Sequence, residues 1–547
     1  MKNLRSIGVA CTVFAFCLAG ATFSYAQSFT DLASFDLNTG YFPRSALVGS
    51  TDGNLYGTAS VSGPNSYGTV FKTTTAGAVT VLHGFDLTDG AAPLAALTQG
   101  RDGNFYGTTY EGANGYGTVF KVTPAGEFTT LHVFCSESNC SDGENPWGGL
   151  VEGTNGNFYG TASGGGAYYS GTVFEITPAG TLTTLYNFCP QLGCADGEIP
   201  EAGLVQASNG AFYGTTFRGG AYDEGTVFRI TAAGKLKVLH SFQLTDGAYP
   251  TTGLIQATNG NFYGTTQRYA ANNAGTFFEI TPTGKLTTRY NFCSQSNCAD
   301  GGSPWGLVQG TDGNFYGATL SGGATGYGTL FKITAEGKLT TLYSFCPQSG
   351  CADGDTPYAG LLQATDGNFY GTSAFGGAIN GGTLFRLSTG LGPFVETLPT
   401  SGKVGTTVII LGTNLTGTTK VSFDGTAATF TIASSSEIET TVPAGAKTGA
   451  VRVTTPSGTL DSNLIFKVTP QIKRFNPLSG AIGTQVVITG VSLRQTTKVT
   501  IGGKAASFTV NSDTQVTATV PTGAKTGKIV ITTPGGTATS ATSFTVT

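Results

Sequence analysis

The sequence predicts an all-β protein: a seven-bladed β-propeller closed by its N-terminal strand, followed by two small β-sandwiches. Three observations carry this reading. First, a G-N-F-Y-G-T-type motif recurs seven times, beginning at Gly53, Gly103, Gly156, Gly210, Gly260, Gly313 and Gly367, each time followed some ten residues on by a G-T-V-F-type motif. The spacings are 50, 53, 54, 50, 53 and 54 residues, and a period near 50 with four short strand-like runs has the size of a propeller blade. Second, the seventh copy stops after its third predicted strand, Gly382 to Leu387, while Ser28 to Phe35 (SFTDLASF) matches the missing fourth strand as it stands in EFTTLHVF or TLTTLYNF. An array that borrows its last strand from the other terminus leaves no open sheet edge to protect, whereas an open solenoid needs distinct capping repeats. Third, Ser401-Gly402, Gly412 and Val442-Pro443 recur as Ser479-Gly480, Gly490 and Val520-Pro521, each 78 residues later.

One copy shows how the elements arise. Gly149 to Gly153 is a short apolar run, and Thr154-Asn155-Gly156-Asn157 offers a tight hairpin turn, because Asn-Gly readily supplies positive φ. Phe158 to Thr161 is the second strand, a Gly-rich loop follows, and Gly171 to Thr177 is the third. Pro178-Ala179-Gly180 then turns the chain into a fourth strand, Thr181 to Phe188. After Gly390 the two further units are rich in Thr and Val with alternating strands and no cysteine, as small β-sandwiches are.

Met1 to Ala26 reads as a secretory signal, with Lys2 and Arg5 before the apolar run Ile7 to Gly20 and Ser24-Tyr25-Ala26 as a small-x-small cleavage site. Cys17 fits a lipid anchor poorly because bulky Phe16 precedes it. No later segment is apolar enough to span a bilayer, so a secreted or cell-surface location is expected. Composition agrees: 83 of 547 residues are Gly, only 11% are charged and Met occurs once. A formal net charge of −4 over this length supplies no steering field for nucleic acid or anionic lipid.

The units from Pro393 to Thr547 resemble IPT/TIG immunoglobulin-like domains through P-x-SG-x-x-GT, G-x-x-L, VP-x-GA-x-TG and TTP-x-G. The resemblance implies two immunoglobulin-like β-sandwiches and little about function, because the family serves as spacer, interaction and glycan-associated module alike. The repeats from Ser28 to Leu387, with GNFYGT and GTVFKIT, resemble the GloVer tandem-repeat (choice-of-anchor) proteins, which are exported bacterial proteins with variable C-terminal attachment devices. That resemblance implies export and a repeat array and brings no catalytic residues; an IPT-like pair stands where members often end in a sorting signal. The expected organisation is a signal peptide at 1–26, the propeller at 27–390 and IPT/TIG domains at 393–469 and 470–547.

Eight cysteines follow the signal, always as C-x4-C: Cys135/Cys140, Cys189/Cys194, Cys293/Cys298 and Cys346/Cys351. Each pair lies between the fourth strand of one blade and the first of the next, and copies without it carry a shorter FDLTDG or FQLTDG link. Disulfide staples are expected, since an exported chain meets an oxidising space and pairs from different blades cannot converge on a zinc ion. No metal or cofactor is implied.

In a four-stranded blade the loops after strands two and four open on one face and the turns after strands one and three on the other. The turn face repeats DGN or NGN and PAG-like sequences and reads as scaffold; the loop face is where the copies differ, which is how loop-borne sites are built. There the residue after the loop proline reads Arg44, Leu94, Trp147, Glu201, Thr251, Trp305 and Tyr358 around the repeats and holds both tryptophans of the chain. Aromatic faces there can stack on sugar rings, while Arg44, Glu201 and, from a second variable stretch, Arg218 can fix polar groups; alternatively, each ring packs beneath its own stapled loop. The expected ligand residues are therefore Arg44, Trp147, Glu201, Arg218, Trp305 and Tyr358. His83, His132 and His240 share one fourth-strand position with Tyr186, Tyr290, Tyr343 and Ala33, so they read as substitutes for a packing tyrosine, not as a triad. Gly49, Gln99, Glu152, Gln206, Gln256, Gln309 and Gln363 share a first-strand position, expected to be a structural amide ladder. No G-x-S-x-G, H-E-x-x-H or P-loop occurs. The leading expectation is a non-catalytic exported scaffold that binds an extracellular glycan or protein. The alternatives are a propeller lyase or hydrolase acting on polysaccharide through carboxylates near Glu201 and Glu224, or a structural surface protein. Nothing in the sequence specifies an oligomeric state.

Overall fold

The computed structural model describes residues 27–207 and 209–547; the expected signal peptide, 1–26, lies outside the described residues. The described chain is all-β apart from two short 3-10 turns, Ser138–Cys140 and Ser296–Cys298, each inside a cysteine loop. Residues 28–388 form seven four-stranded antiparallel sheets of the kind that propeller blades are made of. The third sheet is typical, with strands Val151–Glu152, Phe158–Ala162, Thr172–Ile176 and Leu182–Asn187 in sequence order. The seventh differs in chain order: Leu362–Gln363, Phe369–Ser373 and Thr383–Ser388 are completed by Ser28–Ser34, with Ser28 opposite Ser388 and Ser34 opposite Thr383.

The F-Y-G-T core of the motif is explained residue by residue. Side chains alternate across a strand, so the Phe and the Tyr point to opposite sides of their sheet and each meets a neighbouring module. Tyr106 stacks on Phe158 at 3.9 Å between centroids, Tyr159 meets Phe212 at 4.1 Å, and Tyr213 stacks on Phe262 at 4.1 Å. The glycine that follows is obligatory. A Cβ at Gly160 would stand 2.6 Å from Phe174 Cζ and 2.8 Å from Leu150 Cδ2, because the third-strand Phe lies across it. The threonine then ties modules together: Thr161 Oγ1 donates to the Ala202 carbonyl of the next module at 3.0 Å. Apolar clusters of this kind join consecutive modules, and one joins Leu47, Leu55 and Phe71 of the first to Tyr370 and Leu384 of the seventh. There Leu55 takes the place of the usual Phe.

The first-strand amides form the expected ladder. Gln206 Oε1 accepts from Thr154 N–H at 3.0 Å and Gln363 Oε1 from Thr311 N–H at 2.9 Å, each across a module boundary.

The C-terminal units are two-sheet sandwiches. In the first, the sheet built on Thr407–Leu411 and Glu437–Thr441 faces that built on Lys420–Phe423 and Val451–Thr455 over a core of Val408, Ile410, Val421, Phe423, Ile438 and Val453. The second repeats this plan around Ile488, Ile501, Val516 and Ile531. The first sandwich docks on the turn end of the repeats, where Ser436 Oγ donates to Thr51 O at 2.7 Å, Phe394 N–H to Thr365 O at 3.0 Å, and Thr365 Oγ1 lies 2.9 Å from Thr413 Oγ1. The two sandwiches are linked through Gln495, whose Oε1 accepts from Thr448 N–H at 2.8 Å and whose Nε2 donates to Thr448 O at 3.2 Å. No helix among the described residues is long and apolar enough to cross a membrane.

Candidate functional site

Two devices fix the loops at the end opposite the sandwiches. The first is a latch. His83, His132 and His240 lie 2.7, 3.0 and 2.9 Å from Asp89, Asp142 and Asp246 in the following loop. Tyr186, Tyr290 and Tyr343 donate to Asp196, Asp300 and Asp353 at 2.8, 2.7 and 2.7 Å. The shared His/Tyr position packs as expected, His83 on Phe128 at 3.7 Å and Tyr343 on Phe29 at 3.8 Å, and is a polar latch as well. Where Ala33 removes the latch, the loop aspartate is replaced by Thr39. The second device is covalent: the pairs Cys135–Cys140, Cys189–Cys194, Cys293–Cys298 and Cys346–Cys351 are all disulfides. Glu144 and Glu198 approach two of these sulfur pairs, but a disulfide sulfur is no thiolate and makes a poor metal ligand.

The residue before each loop proline is left-handed, as at Asn145 (φ 53°) and Ile199 (φ 55°), and its N–H donates to the preceding module: Asn145 to Tyr116 O at 2.8 Å, Ile199 to Ser170 O at 3.0 Å. The proline then closes on a glycine of that module, since a Cβ at Gly171 would stand 2.5 Å from Pro200 Cδ. The residue after the proline is therefore held from both sides.

Three of the expected ligand residues converge. Tyr358 meets Trp305 edge-on at 5.4 Å, and the Arg44 guanidinium lies over the Tyr358 ring at 5.1 Å, so modules six, seven and one contribute one continuous array. Arg44 Nε is buried without a hydrogen-bond partner. Trp147 meets Tyr110 of the preceding module edge-on at 5.1 Å. The ring partners of the tryptophans thus come from neighbouring modules, where the sequence left packing beneath their own stapled loops as an alternative. Trp147, Trp305 and Tyr358 are all half-buried. Burial lifts Glu201 to about 7, with no charged group contributing.

Arg218 belongs to a different cluster. It pairs with Asp223 at 3.3 Å and lies 5.6 Å over the Tyr249 ring, which stacks on Phe217 at 4.7 Å. Burial and then Asp223 raise Glu224 above the ordinary carboxylate range, against the pull of Arg218.

A further set, of which the second variable stretch points only to Tyr168 and Tyr169, stands exposed on these loops. Among the described residues of 28–388, every exposed large hydrophobic side chain lies in a loop after a second or fourth strand, including Tyr67, Tyr116, Tyr168, Tyr169, Tyr222 and Tyr327. The signal was present as Tyr-Gly-Thr at 67–69, 116–118 and 327–329, just ahead of the third strand.

The family model of the Gloeobacter/Verrucomicrobia repeat matches residues 11–141, 135–299 and 294–427, well over half of the chain. The chain belongs to the Gloeobacter/Verrucomicrobia repeat family. Its sandwiches match the IPT/TIG domain at 394–467 and 470–546. No curated protein matches this repeat protein significantly. Among solved structures it is similar to the extracellular domain of BT3049 from B. thetaiotaomicron, with 13% identity, a TM-score of 0.43, and 92% of this chain covered but only 54% of that one, so it spans about half of that relative. It is also similar to the surface glycan-binding protein PbSGBP-B from Prevotella bryantii (18% identity, TM-score 0.22, 28% of this chain and 38% of that one). SGBP-B from a complex xyloglucan utilization locus in Bacteroides uniformis is a third likeness (24%, TM-score 0.15, 28% and 48%). At these TM-scores the likenesses say nothing of what the Gloeobacter/Verrucomicrobia repeat chain binds.

Proposed function

We propose that the repeats close into a seven-bladed propeller, exported with the two immunoglobulin-like domains as stalk or second contact, and that its loop-rich face binds an extracellular glycan or protein without chemistry. Closure is supported by the pairing of Ser28–Ser34 with Thr383–Ser388 and by the cluster that spans the seventh and first modules. The units then fall at 27–390, 393–469 and 470–547, with 1–26 removed on export.

The observation that carries the binding reading is the asymmetry between the two ends. One end takes the first sandwich. The other gathers the exposed large hydrophobic side chains of the repeats, the tyrosines in loops after second strands that bridge to the latched and stapled fourth-strand loops, as at Glu144–Gly164 and Glu198–Arg218. Tyrosine-rich loops on a rigid frame offer contact area at low entropic cost. Beside them Trp305, Tyr358 and Trp147 present half-buried faces for sugar rings, and Arg44 and Glu201 hold polar groups for orientation. Arg218 with Tyr249 forms a second contact.

The catalytic alternative asks Glu201 and Glu224 to act as an acid/base pair. Among the described residues no hydrogen bond joins the two: burial raises Glu201, while burial and Asp223 raise Glu224 against the pull of Arg218 and Tyr249. A glycan-array screen of the full mature chain tests the proposal. It predicts a restricted set of bound glycans and loss of at least about tenfold in affinity in Trp147→Ala with Trp305→Ala. Unaltered binding in that double variant removes the tryptophans from the site.

A further inference from the structure

At the turn end of each module the second-strand tyrosine reaches into a cup of polar side chains, and in six modules a carboxylate fills the cup. Tyr56, Tyr106, Tyr316 and Tyr370 donate to the turn aspartates Asp52, Asp102, Asp312 and Asp366 at 2.7, 2.8, 3.0 and 2.8 Å. Where the turn begins with Asn instead, the third strand supplies the acid: Tyr159 donates to Glu175 at 2.7 Å and Tyr263 to Glu279 at 3.1 Å.

Module four has neither. Its turn reads Asn209-Gly210-Ala211, and Arg229 occupies the position opposite Tyr213 that Glu175 holds opposite Tyr159 and Glu279 opposite Tyr263. Asn209 Nδ2 donates to Tyr213 Oη at 3.0 Å, so the phenol hydrogen has no carboxylate to receive it. Arg229 Nε is buried without a hydrogen-bond partner. Ala211 stands where Asn157 and Asn261 point an amide at the glutamate, so that donor is missing as well. Across the next strand Arg229 faces Lys237, where the corresponding residues are Thr129, Thr183, Thr287 and Thr340. Like charges directly opposite on a strand pair repel, and among the described residues neither makes an ion pair that offsets this.

We infer that module four carries a carboxylate-binding site formed by Arg229, Lys237 and Tyr213, and that its occupant is an Asp or Glu side chain of a partner protein. A carboxylate is the group that fills the same cup six times from within the chain. Arg offers a charge-assisted, fork-shaped donor to it, and Lys237, exposed at the rim, adds the second cation. The net charge of −4 gives the protein no general attraction for acidic partners, so their capture has to be local. The site lies at the turn end and stands independently of the loop-rich face.

Immobilised octaglutamate, with octaglutamine as control and oligogalacturonate in parallel, tests this on the full mature chain at low salt. The expected result is binding to octaglutamate over octaglutamine, weakened by about tenfold or more in Arg229→Glu. That variant rebuilds the Asn-turn and Glu pairing of modules three and five, so its thermal midpoint should hold or rise. Asn209→Asp, which refills the cup from the turn, should likewise weaken binding by about fivefold or more and raise the midpoint. Octaglutamate bound no better than octaglutamine, or wild-type binding in both variants, overturns the site. Preference for oligogalacturonate overturns the protein partner and assigns the carboxylate to an acidic glycan.

Discussion

The two ends of the repeats are built on opposite terms. At the turn end the copies share nearly the same residues, and those residues hold each other: aromatic pairs between modules, amides across boundaries, carboxylates on tyrosines, and the first sandwich docked on top. At the loop end the shared residues only fix the loop, by the latch, the staple and the left-handed residue before proline, and what the loop then displays varies among the copies. Constancy marks where stability is made, and variation marks where something outside the chain is met.

Substitutions at the two ends should separate sharply. Phe262→Ala removes a fully buried ring stacked on Tyr213 and should cost about 3–5 kcal/mol of unfolding free energy. Tyr222→Ala, on an exposed loop residue, should stay within about 0.5 kcal/mol. Chemical denaturation of both variants checks this, and equal costs would erase the distinction. Replacing Cys189 and Cys194 by Ser opens one staple and should cost about 2 kcal/mol by the loop-entropy estimate, with faster hydrogen exchange confined to that loop.

Smaller effects sharpen the picture at the docking surface. Glu396 lines a cavity of about 280 Å³ between the first sandwich and modules seven and one, together with Asp52 and Asp366. Burial lifts Glu396 from 4.5 to about 7, although Asn463 Nδ2 donates to its carboxyl. Because this value lies above the unfolded one, the native state holds the extra proton. The contribution is therefore full below pH 4.5 and is lost as pH rises through about 7. Glu396→Gln should flatten that slope by an amplitude of about 1–2 kcal/mol, read from unfolding midpoints between acid and mildly alkaline pH. A slope unchanged in the variant would place the titration elsewhere. The smallest expected effect is His132→Tyr, which should stay within about 1 kcal/mol because Tyr186 makes the same latch to Asp196; a larger cost in a melting curve would mean the histidine does more than latch.

Much of this was legible in the residues. The period, the Phe-Tyr alternation and the C-x4-C pairs are local patterns, and each maps onto one strand or loop. What escaped were contacts whose partners sit in different copies or different parts of a copy. The latch aspartate lies six residues from His83 but ten from His132, so alignment on the histidine alone hides it; its loss together with the latch at Ala33 and Thr39 was the available clue. The carboxylate on the buried tyrosine moves between the turn and the third strand, so no single column shows it conserved from copy to copy. The docking of the first sandwich on the turn face had no sequence signal, because Thr51, Thr365 and Thr413 are ordinary surface residues until two units meet.

Every face and mouth described above presupposes that the first strand completes the last module. Hydrogen–deuterium exchange of the mature chain measures this directly. The account predicts that amides of residues 28–34 and 383–388 are protected to the same degree as those of Leu182–Asn187 in the third module. Exchange of residues 28–34 at the rate of a free terminus, with 383–388 behaving as an open edge, would contradict it.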